Sequence, residues 1–169
     1  YSAYFKNLHR FFFFTFIVLF IPACTTPSAN FHNKANQYSF NSEIISTPYF
    51  SHTLYTNKFI DSNSTDMLHI YLDGDGSPWF SRKSIATDPT SRNHMILELM
   101  SLDRTPAIFL GRPCYHRLSP SPNCHPKLWT SHRYSPIVIH SMKLALTQWL
   151  ARHTNVNSMT FIGYSGGGA

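Results

Sequence analysis

The stretch Ser158-Met159-Thr160-Phe161-Ile162-Gly163-Tyr164-Ser165-Gly166-Gly167-Gly168-Ala169 decides how this chain is read. Its first five residues form a short, largely apolar run of the kind that makes a buried strand. The next five are G-x-S-x-G. A strand running straight into this pattern predicts a sharp strand-to-helix turn with a serine held out at its apex, a nucleophile elbow. Glycines are needed beside the serine because side chains there would strike neighbouring backbone, and the turn itself is strained. Ser165 is therefore the candidate nucleophile. The helix expected after the turn would begin where the sequence ends.

Upstream of this strand the pattern alternates. Ser135-Pro136 reads as a helix start, with Ser as N-cap and Pro at the first position. Val138, Met142, Ala145, Leu146, Trp149 and Leu150 then fall on one face of that helix. Residues 67–72 are nearly continuously apolar, as expected for a parallel strand covered on both faces, and residues 106–110 are a second apolar strand. Between them, residues 93–102 carry apolar side chains at 95, 96, 99 and 100, a helical stripe. Residues 44–50 and 53–60 predict an initial strand pair turning near Ser51-His52. The order strand, helix, strand, helix, strand argues for an α/β fold with a mostly parallel sheet. There are no internal repeats.

A serine hydroxyl needs a base to take its proton. The oxyanion formed on the attacked carbonyl needs preorganised N–H donors. In the elbow geometry one donor is the backbone N–H of the residue after the nucleophile, here Gly166. The second comes from the loop after an earlier strand. Asp73-Gly74-Asp75-Gly76 follows the strand at 67–72 and occupies that place, which makes the N–H of Asp75 or Gly76 the expected second donor. The Asp-Gly-Asp-Gly-Ser pattern also looks like a calcium loop. Pro78 and Ser84 stand where an EF-hand needs Gly and Glu, so no calcium site is expected.

Leu68-His69-Ile70-Tyr71-Leu72-Asp73-Gly74-Asp75-Gly76-Ser77-Pro78-Trp79 resembles the oxyanion-loop strand of bacterial exported α/β-hydrolases. Leu110-Gly111-Arg112-Pro113-Cys114-Tyr115, Trp129-Thr130 and Arg133-Tyr134-Ser135 resemble the next block of that group, and residues 163–168 its elbow. The resemblance spans about residues 66–169. It implies an α/β-hydrolase-type sheet with flanking helices, of which residues 44–169 are the N-terminal part. It also implies a serine hydrolase acting on small-molecule or lipid carboxylic esters, without cofactor. In that superfamily the triad runs Ser, then Asp or Glu, then His. Both partners are therefore expected after Ala169, and none of the ten histidines here is assigned to the role. The same elbow also serves lipases, thioesterases, peptidases and acyltransferases.

The N-terminus has the pattern of an export signal. Lys6 and Arg10 precede an apolar stretch at 11–21, then Ile21-Pro22-Ala23-Cys24. That tetrapeptide looks like a bacterial lipobox. Residues 1–23 are accordingly expected as a signal peptide, with Cys24 lipidated and the protein in the periplasm or at the outer membrane. Pro22 departs from the usual residue, which leaves ordinary cleavage and secretion as the alternative. Residues 24–43 read as a polar tether. Cys114 and Cys124 lie in a proline-rich segment, and an oxidising compartment permits a disulfide between them. The rival, a metal held by Cys114, His116, Cys124 and His125, fits no familiar zinc spacing.

The chain has 169 residues, 15% aromatic and 13% charged, which is globular in character and not disordered. Net charge is +6, and from Arg104 onward there are seven Lys or Arg and no Asp or Glu. No nucleic-acid-binding motif accompanies this charge, so no nucleic-acid partner is expected. Arg112, Arg117 and Arg133 are expected either to pair with neighbouring carboxylates or to meet an acidic substrate. Set against the enzymatic reading is a truncated or non-catalytic lipid-anchored protein that keeps a hydrolase scaffold.

Overall fold

The computed structural model describes residues 25–60, 66–153 and 156–169. The expected signal segment and Cys24 lie outside the described residues.

Among the described residues five strands form the main sheet: β1 (Asn41–Ser46), β2 (Ser51–Thr56), β3 (Met67–Leu72), β6 (Ala107–Leu110) and β7 (Ser158–Gly163). A separate small hairpin pairs β4 (Trp79–Ser81) with β5 (Ser84–Ile85). The main sheet runs in the order β1-β2-β6-β3-β7. β6, β3 and β7 are mutually parallel, and β2 is antiparallel to both of its neighbours. Four of the five strands therefore share one direction, as the alternation of strands and helices predicted. This is an α/β fold with a mostly parallel sheet and helices on both faces.

Among the described residues three helices flank the sheet: α1 (Pro27–Gln37), α2 (Met95–Leu102) and α3 (Pro136–Leu150). The period-two alternation of β6 sorts the core. Ala107 and Phe109 face one layer with Phe31 of α1 and Ile96, Leu97 and Met100 of α2. Ile108 and Leu110 face the other, with Ala145 and Trp149 of α3. All four β6 residues are buried, which is why this strand reads as an unbroken apolar run. Each large side chain so buried contributes roughly 1.5–3 kcal/mol.

Several expectations shift in detail. The first turn lies at residues 47–50, not near Ser51-His52. The Thr47 N–H and hydroxyl both donate to Phe50 O, and Thr47 Oγ1 accepts from Phe50 N–H. The α2 stripe is Ile96, Leu97 and Met100, and Leu99 is exposed. Ser135 does hold the N-cap place of α3 with extended backbone, yet its side chain makes no capping bond.

The largest difference concerns the stretch expected as a tether. It carries α1 and the start of β1. Thr26 accepts from Ala29 N–H and Pro27 opens the helix. Phe31 and Ala35, one turn apart, are fully buried. Ser28 ties the helix start down: its N–H and hydroxyl donate to Asp88, and its oxygen accepts from Arg117 N–H.

Candidate active site

Because β6, β3 and β7 are parallel neighbours, the segments that follow them emerge along one edge of the sheet. Residues 73–78 follow β3, residues 111–135 follow β6, and the elbow follows β7. In open α/β sheets the crevice outside the carboxyl ends of the strands is where ligands bind.

The elbow is built as its sequence demands. Ser165 has φ of 50°, a left-handed conformation that costs a non-glycine residue about 1 kcal/mol or more. Tyr164 N–H donates to Leu72 O at 3.0 Å, and Gly167 N–H closes the turn on Tyr164 O at 2.8 Å. A Cβ on Gly163 would run into the Gly167 carbonyl. One on Gly167 would run into the carbonyl oxygens of Leu72 and Asp73. Both glycines of G-x-S-x-G are thus required by close backbone approach, not by chance loop composition. The turn continues as a short 3₁₀ segment, Ser165–Gly168.

The loop after β3 lies directly against this turn. A Cβ on Gly74 would stand 3.2 Å from Ser165 Cβ. Gly76 has φ of +66°, and a Cβ there would meet Pro89 O and the Tyr115 ring. Within the loop, Gly74 N–H donates to Asp73 Oδ1 and Ser77 N–H to Pro89 O. The N–H groups of Asp75, Gly76 and Gly166 are not among these bonds. Burial pushes the Asp73 carboxyl up to about 6, against the opposing pull of the Gly74 N–H, the Ser91 hydroxyl and the Arg112 charge.

Asp75 is the anchor of the site. Its Oδ1 accepts from Arg112 Nη1 at 2.8 Å and from the Tyr134 hydroxyl at 2.6 Å. Arg133 Nε stands 2.8 Å from its Oδ2. Its carbonyl accepts from the Tyr115 hydroxyl at 2.9 Å. Both guanidinium groups also lie over the Tyr134 ring, at 4.9 and 5.2 Å. A Cβ on Gly166 would collide with the Asp75 carboxylate and the Tyr134 hydroxyl, so this cluster abuts the elbow. A cavity of about 70 Å³ opens beside it, lined in part by Leu72, Arg112, Tyr134, Met142, Gly166 and Gly167.

Of the three arginines singled out by sequence, Arg112 and Arg133 pair with a neighbouring carboxylate. Arg117 is exposed and lies apart, lining a separate cavity with His32 and Tyr55. Tyr134 and Tyr115 carry roles that sequence reasoning did not assign. They sit 59 and 40 positions from Asp75, and no local spacing rule spans such distances.

The cysteines and histidines resolve plainly. Cys114 and Cys124 form a disulfide. That consumes both thiols of the rival metal set, and among the described residues no cluster of His, Cys, Asp and Glu suits a metal ion. His116 is buried against Phe31 and Phe109. His69 Nδ1 pairs with Asp103 Oδ2 at 2.6 Å, and His52 is enclosed between Gly111 O and Ser141 Oγ. Among the described residues, no histidine or carboxylate hydrogen-bonds the Ser165 hydroxyl. No described helix is long and apolar enough to cross a membrane.

No protein-family model matches this sequence, and no curated protein matches it either. Among solved structures, EstE1, a thermophilic and thermostable carboxylesterase cloned from a metagenomic library, aligns with a TM-score of 0.41 at 13% identity. The alignment covers 88% of this chain and 48% of that one, so the chain spans about half the length of EstE1. A likeness of that size fixes neither the fold nor the chemistry of this chain; the order and directions of the strands describe the fold.

Proposed function

We propose that this chain is the N-terminal part of an exported serine hydrolase acting on carboxylic esters, small or lipidic, with Ser165 as nucleophile. The observation that carries the reading is the left-handed Ser165 on a glycine-walled turn, packed against the loop that follows the neighbouring parallel strand. In this reading Ser165 Oγ attacks the ester carbonyl carbon while its proton passes to a histidine supplied beyond Ala169 and oriented by an acidic residue there. The oxyanion is received by the N–H of Gly166 and by that of Asp75 or Gly76. Collapse expels the alcohol, and water then releases the acid from the acyl-serine. No cofactor is needed.

Export and anchoring belong to the same proposal. Cys24 would carry the lipid and hold the protein at the periplasmic face or the outer membrane, with plain secretion as the alternative. No nucleic-acid partner is proposed.

A fluorophosphonate probe on the complete protein tests the catalytic reading. Covalent labelling that is lost in Ser165→Ala supports it. Folded complete protein that takes no label overturns it, and a scaffold without catalysis is then the reading that stands.

A further inference from the structure

The segment directly after the candidate oxyanion loop is the β4–β5 hairpin. Every residue from Trp79 to Ile85 is exposed. Trp79 is 50% exposed, Phe80 75% and Ile85 42%. Trp79 pairs across the strands with Ile85, so those two share one face, and Phe80 sits at a shift in register between Trp79 and Ser81. Neither face is covered by the described residues. The hairpin's base, by contrast, is pinned. Ala86 N–H donates to Pro78 O, and Ala86 O accepts from the buried indole of Trp129.

Arg82 and Lys83 form the tip between the two strands. Neither makes an ion pair among the described residues. From Gly76 to Thr87 the sequence has no Asp or Glu. The nearest acids on either side are already engaged, Asp75 by two arginines and Asp88 by Ser28 and Thr90. The tip therefore projects two uncompensated positive charges flanked by two aromatic rings and an isoleucine. Indole and phenyl groups settle at the boundary between headgroups and acyl chains, and Lys or Arg beside them gain from an anionic surface.

We propose that the β4–β5 hairpin docks on the surface of an anionic phospholipid bilayer. Trp79, Phe80 and Ile85 enter the interface while Arg82 and Lys83 meet the headgroup phosphates. This docking does not depend on Ser165 being a nucleophile.

The hairpin contains its own reporter. Of the chain's three tryptophans, Trp129 and Trp149 are buried and Trp79 is exposed. The full chain is titrated with phosphatidylcholine vesicles, with and without phosphatidylglycerol, while tryptophan emission is followed. The expected result is a shift to shorter wavelength with the anionic vesicles that vanishes in Trp79→Phe. Replacing Arg82 and Lys83 together by Gln weakens the titration about 30-fold, at about 1 kcal/mol per basic residue. Phe80→Ser with Ile85→Ser abolishes the shift while far-UV circular dichroism stays unchanged. Three results overturn the proposal. One is vesicle binding with no Trp79 shift, which assigns attachment to another segment. Another is a shift that follows protein concentration without lipid, which assigns the hairpin to contact between copies. The third is no binding at all.

Discussion

Arg112 Nη1 stands 2.8 Å from Asp75 Oδ1, and this pair joins two loops whose residues lie 37 positions apart. The Arg112 side chain is only 7% exposed. A second guanidinium nitrogen of Arg112 donates to Arg133 O, so a single side chain fixes the loop after β3, the loop after β6 and the start of α3 together.

Arg112→Gln is therefore expected to destabilise the chain by about 3 kcal/mol, because it leaves the Asp75 carboxylate half-buried with one cation fewer. Arg112→Lys does not rescue it, since an ammonium cannot serve both acceptors in the planar geometry of a guanidinium. Urea unfolding of the three proteins checks this. Equal midpoints for Lys and Arg would remove the two-acceptor argument.

The left-handed Ser165 gives a second expectation. Ser165→Ala keeps a Cβ in the strained conformation, whereas Ser165→Gly relieves it at some cost in unfolded-chain entropy. The glycine variant is expected to be about 0.5–1 kcal/mol more stable than the alanine variant. Thermal unfolding of the pair reads the difference directly. If alanine proves the more stable, Ser165 is not strained, and the elbow argument loses its physical basis.

Much of this was legible in the sequence because the signals are local. The apolar runs of β3 and β6, the Ser135-Pro136 helix start and the G-x-S-x-G turn each lie within a dozen residues and follow from backbone geometry alone. β7 forms as a strand but, at the edge of the sheet, is largely exposed where its sequence was expected to be buried. α1 was missed although Thr26-Pro27 is a helix start and Phe31 and Ala35 are one turn apart. The polar composition around them outweighed two buried side chains, and what holds the helix is non-local, through Ser28 to Asp88 and Arg117. The Asp75 cluster was half visible. Its residues fell in blocks that looked related to one another, but only the parallel order of β6, β3 and β7 brings those blocks together.

The Cys114–Cys124 bridge closes a short loop beside three left-handed non-glycine residues, Cys114, His116 and Arg117. Reduction removes the restriction on the unfolded chain, worth about 2.5 kcal/mol for a loop of this size. Urea unfolding with and without a reducing agent should show a loss of that order. Cys114→Ala with Cys124→Ala should lose as much and no longer respond to reductant. An unchanged midpoint on reduction would mean that the loop is held by its hydrogen bonds to Ser28, Thr53 and Thr90 alone.

His116 contributes to the acid limb of stability. Its ring is buried among Phe31, Phe109, Tyr55 and Tyr115, and its Nδ1 has no hydrogen-bond partner. Burial pushes its pKa down to about 3, and the nearby Asp88 charge only partly opposes that. The unfolded chain binds this proton near its ordinary value of 6.5, while the folded protein refuses it until about 3. The stability His116 contributes is therefore complete above 6.5 and is lost as the pH falls toward 3. Between about pH 7 and about pH 4 the loss is on the order of 3 kcal/mol. His116→Leu should abolish this part of the acid sensitivity, whatever its stability at neutral pH. Urea unfolding of both proteins at the two pH values isolates the term, because the other histidines are common to both. If wild type and variant lose equal stability on acidification, the buried imidazole is not the group that resists the proton.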